Sequence, residues 1–173
     1  DALIGFATAA FGARITFTEL DQASDAFAAH LHQLGVRKGD PVALFMNNCP
    51  QYVMAHYGIQ KLGAIVCPCG PLNKEHELEY QLSDLQARVI VAADSLLPIV
   101  EKVRERTGLQ HVFAVRYGDL LPPTPTIGLP AELQGCEAPV LPASAEDFLQ
   151  VARSGGKPPP VTIETPPTDW SAS

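Results

Sequence analysis

The chain has 173 residues, so the prior is a single domain. It is 46% hydrophobic and 18% charged, enough to build a core and unlike a disordered chain. A net charge of −7, from 12 basic and 19 acidic residues, excludes a broad nucleic-acid footprint and a polybasic membrane contact.

In chain order, Arg14-Ile-Thr-Phe17 reads as a short strand after the turn residue Gly12. Thr18, with Asp21 three residues on, is the expected N-cap of a helix over 18–34, with Leu20, Phe27, Leu31 and Leu34 on one face and Gly35 at its end. Val42–Met46 is apolar on both faces, as in a buried parallel strand. Pro50 suits the first turn of a helix reaching about Leu62, and Ala64–Cys67 is a second buried strand. Asn73 is the expected cap of a third helix carrying Leu78, Leu82 and Leu85. Arg88–Ala92 is a strand, 95–107 a helix with Ser95 as cap and Gly108 as stop, and His111–Val115 a further strand. This alternation with short links specifies right-handed crossovers. The expected fold is α/β: a mostly parallel sheet with helices on both faces.

From Gly118 the pattern stops. Eleven of the 16 prolines lie at or after Pro122, and residues 117–173 carry 2 basic against 7 acidic side chains. The expected organisation is an α/β subdomain over 1–120, a Pro-rich surface excursion over 121–143, and over 144–173 a short helix (Ser144 as cap, then 145–152) with an extended segment. Val161–Ile163 is read as an edge strand.

Chemical motifs are sparse. Cys67-Pro-Cys69 lacks a second pair and has one intervening residue, so two apolar thiols are expected there and no metal. The four cysteines read as reduced thiols of a cytoplasmic protein. His76-Glu77 has Tyr80 where a zinc-binding helix needs its second His, and His30 and His32 do not share a helix face. Lys102, Arg104 and Arg106 suit the last turns of a helix better than a phosphate patch. Gly155-Gly-Lys157 has Val151 and Pro158 where a phosphate loop needs Gly and Ser/Thr. No G-x-G-x-x-G or G-x-S-x-G is present. The residues alone therefore give an α/β domain without a catalytic constellation.

Three stretches carry a resemblance. Ile15-Thr-Phe-Thr-Glu-Leu20, Leu34-Gly-Val-Arg-Lys-Gly-Asp-Pro-Val-Ala-Leu44 and Gln60-Lys-Leu-Gly-Ala-Ile-Val-Cys-Pro68 resemble, in order and spacing, the first core motifs of adenylate-forming enzymes, the acyl-CoA synthetase and luciferase superfamily. Asn48–Tyr52, Tyr57–Ile59, Gly70–Leu72, Glu77–Asp84, Asp94, Glu101–Val103 and Leu109–Val112 are most similar to bacterial long-chain fatty-acid–CoA ligases. Residues 13–120 carry this well; beyond them only Asp147–Leu149 and Pro166–Asp169 fit. Gly70-Pro71 departs from the Asn-Pro usual in the family, as does Cys69.

The resemblance implies a parent that uses ATP and Mg²⁺ to convert a fatty acid to an acyl-adenylate and pyrophosphate, after which the coenzyme A thiol displaces AMP. The family's Ser/Thr/Gly-rich phosphate loop would follow a stretch like Pro167-Thr-Asp169, so the chain is expected to be an N-terminal piece, inactive alone, with the rest of the enzyme as partner. No catalytic residue is carried over. Lys74, after a strand end, is the candidate for a coenzyme A phosphate. A homodimer, a cytoplasmic location with contact at the inner membrane, and self-association of the isolated piece are further expectations. Alternatives are a piece of another adenylating enzyme, such as an amino-acid-activating domain, and a stand-alone α/β binding module.

Overall fold

The computed structural model describes residues 3–4, 15–121, 124 and 140–160. A two-residue strand β1 (Leu3–Ile4) pairs antiparallel with β2 (Ile15–Thr16). Helix α1 (Phe17–Gln33) follows at once. Its N-cap is Thr16, not Thr18: the Thr16 hydroxyl accepts the Glu19 N–H at 3.2 Å, and the Glu19 carboxylate accepts the Thr16 N–H at 2.7 Å. Glutamate reaches back from the third helical position, which Asp21 cannot do for Thr18 because its side chain is one methylene shorter. Those contacts hold the Glu19 carboxyl below its usual range, through the Thr16 N–H first and the Thr16 hydroxyl second.

The main sheet comprises β3 (Pro41–Phe45), β4 (Ile65–Cys69), β5 (Val89–Ala93), β6 (His111–Val115) and β7 (Glu146–Asp147), in spatial order β4-β3-β5-β6-β7 and parallel throughout. Helix α2 (Pro50–Lys61) links β3 to β4, α3 (Glu75–Leu85) links β4 to β5, and a 3-10 turn (Asp94–Leu96) with α4 (Leu97–Arg104) links β5 to β6. After β7 comes α5 (Phe148–Arg153). The sheet is covered on both faces, as expected. Phe27, Leu31, Ile59 and Phe148 of α1, α2 and α5 pack on Val42, Leu44, Val91 and Phe113. Leu78, Leu82, Val100 and Val103 of α3 and α4 pack on Ala43, Phe45, Ile90 and Val112. Phe27 sits edge-on to Phe113 and Phe148, with ring centroids 5.3 and 4.9 Å away.

Three expected boundaries move. Helix α3 starts after Lys74, because the Asn73 side chain donates to Gln81 Oε1 at 2.9 Å and does not cap. The 95–107 helix begins as a 3-10 turn, in which the Leu97 N–H donates to the Asp94 carbonyl, and ends at Arg104; Pro98 sits in the first turn of α4, where its missing N–H costs nothing. Ser144 does not start a helix. Residues 146–147 instead join the sheet edge beside Phe113 and Ala114, and Asp147 caps α5 by accepting the Gln150 N–H at 3.0 Å. The Val161–Ile163 reading, Cys136, Pro166–Asp169 and most of the 121–143 excursion lie outside the described residues.

Candidate functional site

Chain direction across the sheet reverses at β3: β4 lies on one side of it and β5 on the other. In open α/β sheets ligands bind outside the carboxyl ends of the strands at such a switch. Here those ends carry Asn47 and Asn48 after β3, Gly70–Lys74 after β4, Asp94 and Ser95 after β5, and Arg116 and Tyr117 after β6.

The N-terminus of α2 is capped from within. Cys49, 2% exposed, is its N-cap, and the thiol sulfur accepts the Tyr52 N–H at 3.4 Å. Burial pushes this thiol up to about 11, so it stays protonated, with its S–H 3.9 Å from Met46 Sδ. A clamp crosses β5. The Tyr117 hydroxyl accepts the Asn47 N–H at 2.8 Å, and Gln51, 1% exposed, donates through Nε2 to the Arg116 carbonyl at 3.0 Å. Burial raises the Tyr117 phenol, and the nearby Cys49 and Asp94 push it the same way. The Arg116 guanidinium is itself spent on Asp119 at 3.1 Å and on Asp147. Asp94 accepts the Ser95 N–H at 2.8 Å. The switch point is thus bridged by protein groups.

The β4–α3 loop is the more open wall. The Asn73 N–H closes a turn on the Gly70 carbonyl at 2.9 Å, and a Cβ on Gly70 would lie 2.9 Å from Asn73 Oδ1, so glycine fits this variant of the family's usual Asn-Pro. Lys74 is exposed there; the Glu77 carboxylate accepts its backbone N–H at 2.6 Å, and Glu75 also lies in the first turn.

The remaining candidates settle into packing. Cys67 and Cys69 share one face of β4; they are buried and free, and each points its S–H at the carbonyl two residues back, at 3.7 and 3.8 Å. Burial raises both thiols, Cys69 to about 11. Among the described residues no three His, Cys, Asp or Glu side chains gather as metal ligands. Lys102 pairs with Glu75 at 2.5 Å, Arg104 with Glu101 at 3.7 Å and Arg106 with Glu79 at 3.3 Å, which is a solvated ionic face. The motif lysine Lys61 bridges helices: its Nζ lies 2.6 Å from both Asp21 and Asp25 on α1. Burial alone would lower this ammonium, but hydrogen bonds and charge from the two carboxylates outweigh it and raise it. The sequence assigns no role to Tyr117, Gln51 or the Lys61 bridge; Lys61 lies in the third motif and Gln51 in the Asn48–Tyr52 stretch, whereas Tyr117 lies in none.

The model of the AMP-binding enzyme family matches residues 2–156. The chain belongs to the AMP-binding enzyme family. Among curated relatives in this family it is 46% identical over 111 residues to a long-chain-fatty-acid–CoA ligase of Salmonella typhimurium, covering 64% of this chain and 20% of the relative. To the Bacillus subtilis protein of that name it is 38% identical over 112 residues, 65% of this chain and 20% of the relative. Among solved structures, a long-chain-fatty-acid-CoA ligase from Archaeoglobus fulgidus superposes with a TM-score of 0.65 at 26% identity, over 87% of this chain and 25% of that one. An anthranilate CoA ligase in complex with anthranoyl-AMP gives 0.68 at 25% identity, over 86% and 25%. The chain therefore spans about a fifth of the length of the curated relatives it matches.

Proposed function

We propose that the chain forms the N-terminal scaffold of a long-chain fatty-acid–CoA ligase. In this reading the whole protein joins a fatty acid to coenzyme A at the expense of ATP, which is cleaved to AMP and pyrophosphate. The observation that carries the reading is the 46% identity to a long-chain-fatty-acid–CoA ligase, running through the β3–α2–β4–α3–β5 unit that makes the sheet's switch. The part played by these residues is architectural. They build a rigid parallel sheet, seal its crevice with Tyr117 and Gln51, and present the β4–α3 loop as one wall of a cleft completed by further chain.

Lys74 belongs to this reading as a contact for a coenzyme A phosphate, supported by its exposure and its place after a strand's carboxyl end. The acidic first turn of α3 limits what that contact contributes; an exposed pair of this kind is worth roughly 0.2–1 kcal/mol. Mg²⁺ as the companion of ATP, a cytoplasmic location with a peripheral contact at the inner membrane, and a homodimer belong to the same reading. None of the described helices is long and apolar enough to cross a membrane.

The test is catalytic. The product of the complete coding sequence, given ATP, Mg²⁺ and coenzyme A, is expected to release pyrophosphate with a long-chain fatty acid and to form the thioester. Amino-acid-dependent release instead would favour an amino-acid-activating enzyme and defeat the proposal. In the same assay Lys74→Met is expected to raise the KM for coenzyme A by about 1.5- to 5-fold at unchanged kcat. An unchanged KM removes Lys74 from the reading and leaves the rest standing.

A further inference from the structure

Strand β4 forms one edge of the sheet, and among the described residues only β3 pairs with it. In a parallel ladder alternate residues turn both their N–H and C=O groups to the same neighbour. The Ile65 N–H donates to the Asp40 carbonyl at 2.9 Å, and the register runs Pro41 to Ile65, Ala43 to Cys67 and Phe45 to Cys69. Residues 65, 67 and 69 therefore face β3, while Val66 and Pro68 turn their backbone groups outward. Pro68 has no N–H. Within the strand, Val66 is left as the single outward donor.

The surroundings make that vacancy consequential. From Leu62 to Asn73 the chain carries no charge, and Ala64-Ile-Val-Cys67 is an apolar run of strand formers. Exposed apolar side chains lie in the strand and the loop that follows: Ile65 at 53% and Leu72 at 87%. Such an uncharged edge is a template for strand addition unless a charge or a proline interrupts it. The edge has no charge, so the interruption falls to the proline. Any other residue at 68 would restore a two-donor ladder.

We propose that Pro68 is an edge guard, which closes β4 to strand addition so that anything packing beyond this edge meets it through side chains. This goes beyond the ligase reading and is independent of it.

The test compares the 173-residue chain with Pro68→Thr and Pro68→Ala by amide hydrogen exchange, sedimentation velocity and thioflavin T fluorescence. In the unaltered chain Val66 is expected to exchange at least 100-fold faster than Cys67. In either variant an assembly with thioflavin T signal is expected, with the amides of Val66 and residue 68 becoming protected. A protected Val66 in the unaltered chain would overturn the proposal without any variant, as would folded variants that sediment like the parent with both amides unprotected. Should Pro68→Thr fail to fold, Pro68→Ala and the unaltered chain's exchange still decide.

Discussion

Cys49 and Cys69 show how burial turns reactive groups into packing groups. Each thiol is nearly inaccessible and is pushed up to about 11 from an ordinary 9.0. For an acid whose folded value lies above its unfolded one, the stabilisation is fully present below the unfolded value and is lost as pH rises through the folded value. The window is therefore pH 9 to 11. Each thiol can withdraw on the order of 2–3 kcal/mol across it. Denaturant unfolding at pH 8 and 10.5 is expected to show a marked loss of stability in the unaltered chain. In the double variant Cys49→Ala/Cys69→Ala the loss should be clearly smaller, although that variant starts lower because the α2 cap is gone. Equal alkaline losses in the two proteins would show that these thiols do not carry the effect. Tyr117, raised in the same direction chiefly by burial, contributes in both proteins, and in the double variant it loses the push from Cys49, which adds to the difference.

The elements illustrate what a sequence displays and what it hides. Helices α1 and α2 approach so closely at Gly58 that an added Cβ would lie 2.9 Å from Phe27 Cδ1 and 3.0 Å from the Ser24 carbonyl. Phe27 is pinned between Phe113 and Phe148, so it cannot yield. Gly58→Ala is thus expected to cost about 1–3 kcal/mol in denaturant unfolding, despite alanine's better helix propensity. A stabilised variant would show that the helix pair is looser than described. The strands β3, β5 and β6 and the helices between them were legible, because continuous apolar runs alternate with 3.6-residue periodicity and Gly35 ends α1 in a left-handed turn (φ +89°). Thr16-x-x-Glu19 spelled a capping box as well, beside a weaker Thr18–Asp21 pair. Strand β7 was not legible: Glu146 and Asp147 have no strand propensity, and they are extended only because the edge of β6 offers them partners. The clamp at the switch point was equally hidden, since Tyr117 and Asn47 are 70 residues apart and neither lies in a motif.

At the scale of the whole molecule, both faces of the sheet are covered, yet apolar groups remain outside. Tyr57, Ile65, Leu72 and Tyr80 are each about half exposed or more. In relatives about three times as long as this chain there is further chain to pack against such a surface. The isolated 173-residue chain is therefore expected to self-associate at micromolar concentration through side chains and to bind a hydrophobic dye. A monodisperse monomer indifferent to the dye would show that this surface needs no cover. In the proposed reading these residues form a scaffold wall whose switch-point crevice is sealed by Tyr117 and Gln51, with the reacting groups supplied by further chain. Isothermal titration of the 173-residue chain with a non-hydrolysable acyl-adenylate analogue tests it most directly. No saturable heat is expected at ligand concentrations up to a millimolar. Stoichiometric binding at micromolar affinity, lost in Tyr117→Ala, would contradict it by placing a ligand where the clamp now stands.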